Sequence, residues 1–233
     1  MKAIYKKELG HFFNNPLGFI VIVLFALFGN FLFIKDIFSV GSASMRPFFV
    51  TTGWLLTILV PALAMRGFAE EKRTNTLETL LTLPLREWDI VFGKTLAIIT
   101  VTAIALALTM GLPIALALIA HLYLPEILIG YLGILLMSAA FTSIALFFSL
   151  KTNNQIVAFF ISAVVLFILM AFSGDFVASF IPRSLSDSVV FLMPPTHIEP
   201  FIKGILDLRS IVYFLMLIGL FTYLTASELE GRQ

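Results

Sequence analysis

The stretch MRGFAEEKRTNTLETLLTLPLREWDIVFGK, residues 65–94, decides the fold because it is the longest segment that cannot lie in hydrocarbon. Apolar tracts of roughly 20 residues, the length that a helix needs to cross a bilayer, lie on both sides of it. We therefore expect residues 66–94 to connect two membrane helices outside the bilayer. The charged residues of the stretch are Arg66, Glu70, Glu71, Lys72, Arg73, Glu78, Arg86, Glu87, Asp89 and Lys94.

The composition excludes a water-soluble globule. Of the 233 residues, 60% are hydrophobic and 12% are charged, whereas soluble domains have about 25% charged residues. Only helices or closed barrels satisfy the backbone in a bilayer, and continuous apolar runs favour helices. The sequence contains no cysteine, which excludes a disulfide framework or a thiol nucleophile.

The apolar runs predict an all-α polytopic membrane protein with six transmembrane helices. Residues 1–15 predict an interfacial helix, because Tyr5, Leu9 and Phe12 share one helical face. Residues 174–209 predict short extracytoplasmic or re-entrant helices between spans 5 and 6. The six spans are expected at about residues 17–34, 48–68, 95–119, 127–150, 155–173 and 210–226.

Small residues in span 4 predict close helix packing. Gly130, Gly133 and Ser138 allow helices to approach closely in lipid. Together with Phe159 of span 5, they are our candidates for packing between subunits.

The distribution of Lys and Arg predicts the orientation. With the N-terminus inside, ten of the 15 Lys and Arg residues lie on the inner side and five on the outer side. The positive-inside rule then places both termini and segment 66–94 in the cytoplasm.

Within the polar stretch, local signals predict two stiff rods. Asn75 and Glu78 have the spacing of a capping box, and Pro84 ends the helix that would follow. Residues 86–92 predict a second short helix leading into span 3. Such rods could transmit a partner's motion, but an ordinary amphipathic loop on the headgroups fits the same residues.

The same stretch resembles the segment between spans 2 and 3 of ABC-2-type permeases, the membrane subunits of ABC transporters. The resemblance is carried by Glu70-Glu71-Lys72-Arg73, Thr76-Leu77-Glu78, Leu80-Leu81, Pro84 and Gly93-Lys94, with Asn75 where the family usually has Gly. It implies a single transmembrane domain over residues 1–233 and a cytoplasmic coupling helix. It also implies a separate ATPase subunit that docks at Glu70, Glu71, Arg73, Asn75, Glu78, Leu80, Leu81 and Pro84.

Further segments resemble a gliding-motility-associated subset of those permeases. They are residues 152–159, residues 172–175 and the region from His197 to Phe214. The resemblance implies two copies of an ABC ATPase, which would bind ATP and Mg²⁺, in a bacterial inner membrane. It also implies a second copy of this chain or a second membrane subunit, which could have a large extracytoplasmic domain.

Sites of other chemistry are weakly indicated. Gly93-Lys94-Thr95 ends like a phosphate-binding loop, but Trp88 stands where that motif needs glycine. His197 and Glu199 offer only two ligands for a metal. We predict no catalytic, cofactor or metal site in this chain and no nucleic-acid partner.

Three functions remain to be compared. The leading hypothesis is a permease subunit that couples ATP hydrolysis by a partner to export of an amphiphilic cargo or to force transmission. The alternative is a membrane scaffold that recruits a partner without transport. No ionisable residue is expected near a span centre, which counts against an ion-coupled carrier.

Overall fold

The computed structural model describes residues 1–40, 44–82, 85–117, 123–172 and 189–231, and this part of the chain is helical with short connections. Its helices are α1 Lys2–Asn14, α2 Pro16–Val40, α3 Arg46–Ala64, α4 Ala69–Arg73, α5 Thr76–Leu81, α6 Glu87–Leu108, α7 Gly111–Ala117, α8 Leu124–Lys151, α9 Gln155–Ala171, α10 Pro194–Ile202 and α11 Leu208–Glu230.

Several of these helices have the length and composition of membrane spans. Five stretches in the described residues qualify, namely Gly18–Lys35, Arg46–Arg73, Glu87–Ala117, Leu124–Lys151 and Leu208–Glu230. The apolar helix α9 has 17 residues and is shorter than these. The prediction of an all-α polytopic membrane protein is confirmed, whereas the count of six spans stays a prediction.

Helix α8 is the centre of the bundle. It packs against α3, α6, α9, α10 and α11. Gly133 makes one of these contacts possible, since a Cβ there would lie 2.5 Å from the Cβ of Phe201 in α10. A Cβ at Gly130 would lie 2.4 Å from the ring of Phe49 in α3, so the small residues of α8 allow neighbouring helices to approach its backbone.

Both ends of the described chain lie at one end of the bundle. The N-terminal amine is 3.6 Å from Asp89 at the start of α6. The ring of Trp88, beside it, is 6.1 Å from that of Tyr223 near the end of α11. We call this end the N-terminal end. This shared position agrees with the prediction that both termini lie on the same side of the membrane. That this side is the cytoplasmic one remains a prediction.

Glu126 organises the opposite end. It falls just before the predicted start of span 4 at residue 127, but it lies in the first turn of α8 and is buried. Its Oε1 accepts hydrogen bonds from the Met45 amide at 2.8 Å and the Ser44 hydroxyl at 2.9 Å, and Arg46 lies 3.6 Å from Oε2. One carboxylate therefore fastens the start of α3 to the start of α8.

Two helix boundaries differ from the sequence prediction. Residues 86–92 are the first turns of α6 rather than a separate helix. Within the segment 174–209, where short helices were expected, α10 begins at Pro194, since the first residue of a helix needs no N–H. Much of the predicted segment 174–209 lies outside the described residues.

Pro113 interrupts span 3 as its sequence position suggests. Helix α6 ends at Leu108 and α7 begins at Gly111. A proline lacks the N–H for the helical bond to residue i−4, here Thr109, and its ring crowds that carbonyl. The Thr109 hydroxyl lies 2.9 Å from that of Tyr131 in α8, so the break is held against the central helix.

Candidate functional site

The polar stretch folds into two short helices joined by Asn75. Asn75 has φ 53° and ψ 27°, the left-handed conformation, and its side chain makes no capping hydrogen bond to α5. The predicted capping box with Glu78 is therefore wrong. Asn75 instead follows the C-cap of α4, where Gly or Asn commonly turns the chain, and its amide donates to the Lys72 carbonyl at 3.2 Å. A left-handed residue cannot at the same time adopt the extended conformation of a side-chain N-cap.

A buried ammonium group ties this segment to the rest of the chain. Lys94 has 2% of its side chain exposed, and its Nζ is 2.7 Å from Glu8 of α1 and 2.9 Å from Glu71 of α4. The same Glu71 oxygen also lies 3.4 Å from Lys7. We call Lys7, Glu8, Glu71 and Lys94 the ionic junction. It joins α1, α4 and α6, three helices that are distant in sequence.

Gly93 explains how a lysine on α6 can reach α1. A Cβ at residue 93 would lie 3.0 Å from the Cγ2 of Ile4, so the absence of a side chain lets α1 lie directly on α6. Glu8, one helical turn beyond Ile4, then stands beside Lys94. The Gly93-Lys94 pair therefore has a structural explanation: glycine leaves room for α1 to pack on α6, and lysine forms an ion pair with α1.

The junction is electrically balanced. It contains two carboxylates and two ammonium groups, and burying a charge is tolerated only where it is paired. The Phe68 ring lies 5.0 Å from Lys94 Nζ and adds a cation–π contact. Lys7 is largely exposed, but removing Lys94 would leave the mostly buried Glu8 and Glu71 without their shared cation, so the three helices should move as a unit.

A second connection joins the segment to α8. The Ser149 hydroxyl accepts hydrogen bonds from the amides of Phe68 at 3.1 Å and Ala69 at 3.2 Å, and donates to the Met65 carbonyl at 3.1 Å. These amides begin α4 and would otherwise lack partners, as the first amides of any helix do. The Lys72 ammonium adds a bond to the Leu150 carbonyl at 3.0 Å.

The predicted docking residues are divided between surface and interior. Arg73, Asn75 and Glu78 are exposed at the tip of the segment. Glu71 turns inward to the ionic junction, and Leu80 is half-buried against the core. Glu70 is half-buried beside a cavity that α1 also lines, whereas the Leu81 side chain and Pro84 lie outside the described residues.

The predicted subunit-packing residues have partners within the chain. Gly130 and Gly133 are covered by Phe49 and Phe201, and the buried Ser138 hydroxyl donates to the Leu135 carbonyl. Phe159 of α9 is half-exposed. Contact of this set with a second subunit stays a prediction.

Sequence reasoning missed Glu8, Lys7 and Ser149. A signal for Glu8 was present, because it shares a helical face with Ile4 and Phe12 and so places an acid on the apolar side of α1. An acid at such a position needs a buried cation. No comparable signal marks Ser149 among the small residues of α8.

The two residues considered for a metal have other contacts. The His197 ring stacks on Tyr213 with centroids 3.8 Å apart, and its Nε2 lies 2.8 Å from the Phe191 carbonyl. Glu199 pairs with Lys203 at 2.6 Å. Among the described residues, no group of three or more His, Cys, Asp and Glu side chains could hold a metal.

Comparison with known families agrees with this architecture. A family described as ABC-2 family transporter protein matches residues 35–226, which is most of the chain and includes the polar segment, Lys94 and Ser149. No curated protein shows significant similarity to the sequence. The bundle of long apolar helices and the family match lead to one conclusion: this chain is an integral membrane protein of the ABC-2 transporter family.

Proposed function

We propose that this chain is the permease subunit of an ATP-driven complex, and that α4 and α5 form its coupling segment. One observation carries the proposal: the segment is fastened to α1 and α6 through Lys94 and to α8 through Ser149. ABC-2 permeases normally work with an ABC ATPase, so the force would come from that partner. The exposed tip at Arg73, Asn75 and Glu78 is the proposed docking surface.

The connections define how a push on the tip would travel. A displacement of α4 pulls on Lys94, which lies two turns inside α6, and on Ser149, near the end of α8. Buried ion pairs and bonds to otherwise unpaired amides resist stretching, because breaking either exposes an uncompensated polar group. The spans would therefore tilt together with the segment.

An apolar groove supports the apolar part of an amphiphilic cargo. It measures about 440 Å³ and lies between α2, α3 and α9. Its wall is almost entirely apolar, with Trp54 and Phe167 in ring contact at 5.5 Å. We propose it as this chain's part of the cargo path, which a second membrane subunit would complete.

The finer assignments belong to the same proposal. They comprise six spans with α9 as the fifth, both termini in the cytoplasm, and a bacterial inner membrane. They also comprise two ATPase copies that bind ATP and Mg²⁺, and membership of the gliding-motility-associated subset. The Lys and Arg distribution supports the orientation, and the resemblance of residues 152–159 and 172–175 supports the subset.

Charge reversal at the tip tests the docking. Arg73→Glu combined with Glu78→Lys changes two exposed side chains and should leave the fold intact. We expect the ATPase that co-purifies with the wild-type chain to be lost. Arg209→Glu, an exposed change at the opposite end, serves as the control. Retention of the ATPase by the double variant would show that it binds elsewhere.

Distance measurements separate a transporter from a scaffold. The chain has no cysteine, so Ile58→Cys and Val164→Cys can be spin-labelled without background on either wall of the groove. In the purified complex, ATP should change their separation by about 2 Å or more, the scale of helix shifts in switching proteins. An unchanged distance in a complex that hydrolyses ATP would favour the scaffold.

A further inference from the structure

A polar cavity lies between α1 and the coupling segment at the N-terminal end. It measures about 590 Å³, and its wall includes Lys6, Gly10 and Asn14 of α1 and Arg66, Glu70 and Glu71 of the chain after α3. Four Lys and Arg side chains and three Glu side chains line it, so the lining has one excess positive charge. It is thus suited to a ligand that contains an anionic group.

Two buried side-chain atoms, on residues that line this cavity, lack hydrogen-bond partners among the described residues. Arg66 Nε is a buried donor, and Glu71 Oε2 is a buried acceptor. A buried donor or acceptor that is left unpaired is destabilising, so both atoms favour a bound partner. Arg66 and Glu71 both line the cavity, and one carries an unpaired donor and the other an unpaired acceptor, which favours a ligand that both accepts and donates hydrogen bonds.

An apolar slot continues from the polar cavity. It measures about 80 Å³, shares His11 and Arg66 with the polar cavity, and runs between α2 and α3 past Val21, Ala62 and Leu63. Beyond it, the outer surface of α2 exposes apolar side chains such as Leu24. A ligand with a polar head and an apolar tail would fit both spaces.

We propose that the two cavities bind one aminophospholipid, with its phosphodiester at Arg66, its ammonium group at Glu71 and the start of an acyl chain in the slot. Arg suits a phosphate because its planar fork donates two parallel hydrogen bonds. The ammonium group supplies the donor that Glu71 Oε2 lacks. A soluble phosphate would leave the slot empty, and a choline headgroup has no N–H to donate. The proposal requires only that the chain lies in a membrane, and is independent of ATP coupling.

Native mass spectrometry of the delipidated, purified protein tests the assignment from the ligand side. Phosphatidylethanolamine and phosphatidylcholine differ only in three N-methyl groups. One lost hydrogen bond to a charged group corresponds to roughly ten-fold weaker binding, so we expect that preference for phosphatidylethanolamine. Equal retention of the two lipids, or a preference for phosphatidylglycerol, would overturn the pairing with Glu71.

Protein variants test the same site. Arg66→Gln removes the phosphate partner and Ala62→Phe fills the slot, and each should lower phosphatidylethanolamine binding by roughly ten-fold. Lys2→Gln, an exposed lysine of α1 outside the cavity, should bind as the wild type does. Wild-type binding by both cavity variants would overturn the site. Thermal protection by glycerophosphoethanolamine or inorganic phosphate equal to that by the lipid would assign the site to a soluble phosphate instead.

Discussion

Replacing Lys94 with methionine should destabilise the chain strongly, because two carboxylates would remain beside one another without their shared cation. Lys94 Nζ lies within 3 Å of both Glu8 and Glu71, and its side chain is 2% exposed. Methionine keeps much of the length and the apolar contacts of the lysine stem. The substitution therefore tests the charge rather than the packing.

Two estimates give the size of the effect. Removing one partner of a buried ion pair costs about 3–5 kcal/mol. Glu8 and Glu71 are 16% and 12% exposed, so water reaches them and the lower limit applies. Independently, two like charges roughly 5 Å apart at an effective dielectric constant near 20 repel by about 3 kcal/mol. For a chain of this size, about 3 kcal/mol corresponds to a fall in Tm of roughly 6–12 °C.

Thermal unfolding in mild detergent, followed by size-exclusion chromatography of heated samples, measures this shift. Lys2→Met is the matched control, since Lys2 is an exposed lysine of α1. The triple variant with Glu8→Gln, Glu71→Gln and Lys94→Met removes the three buried charges, leaves only the exposed Lys7, and should regain at least half of the lost Tm. If Lys94→Met and Lys2→Met unfold at the same temperature, or the triple variant is no better than the single one, the ionic junction does not hold these helices.

Three further substitutions test other connections. Ser149→Ala should lower the free energy of unfolding by about 1–3 kcal/mol and speed hydrogen exchange of the amides at the start of α4. Ser143→Ala is the control, because the Ser143 hydroxyl bonds only within its own helix, and it should have little effect on that exchange. Glu126→Ala should lower the Tm by leaving the Met45 amide unpaired, and Glu126→Gln, which keeps an acceptor, should recover part of it in the same melt. Asn75→Gly should leave the Tm unchanged or raise it, because glycine adopts positive φ readily. Asn75→Val should lower the free energy of unfolding by roughly 1–2 kcal/mol, because positive φ is unfavourable for a β-branched residue. Equal Tm values for the two variants would contradict the left-handed conformation of residue 75.

The spans were predictable because their signal is local. A continuous apolar run of about 20 residues is enough by itself to predict a membrane helix. The ends of α3 and α8 lie within a few residues of the predicted ends of spans 2 and 4. The effect of each proline on helix boundaries is harder to predict from sequence. Pro113 follows the break between α6 and α7, whereas Pro194 and Pro195 begin α10, because proline is compatible with a helix start as well as a helix end.

The site was predictable only in part, because its contacts are not local. Glu8 and Lys94 are 86 residues apart, and Ser149 is 80 residues from Ala69. No spacing rule within one helix pairs such residues. Asn75 shows a different limit: its residue type fits both a helix N-cap and a left-handed turn, and the end of α4 decides between them.

The ionic junction is better understood as a positioning device than as a source of stability. A buried ion pair recovers little more than the cost of removing its charges from water, and apolar residues of similar volume often stabilise a protein as well. Apolar contacts, however, tolerate sliding, whereas Lys94 satisfies Glu8 and Glu71 together in only one arrangement of α1, α4 and α6. The Ser149 bonds fix the same segment against α8. Under the proposed function, the segment needs such fixed geometry to convey a partner's motion. We therefore expect the triple variant to recover stability without recovering the proposed ATP-dependent change in distance between Ile58 of α3 and Val164 of α9.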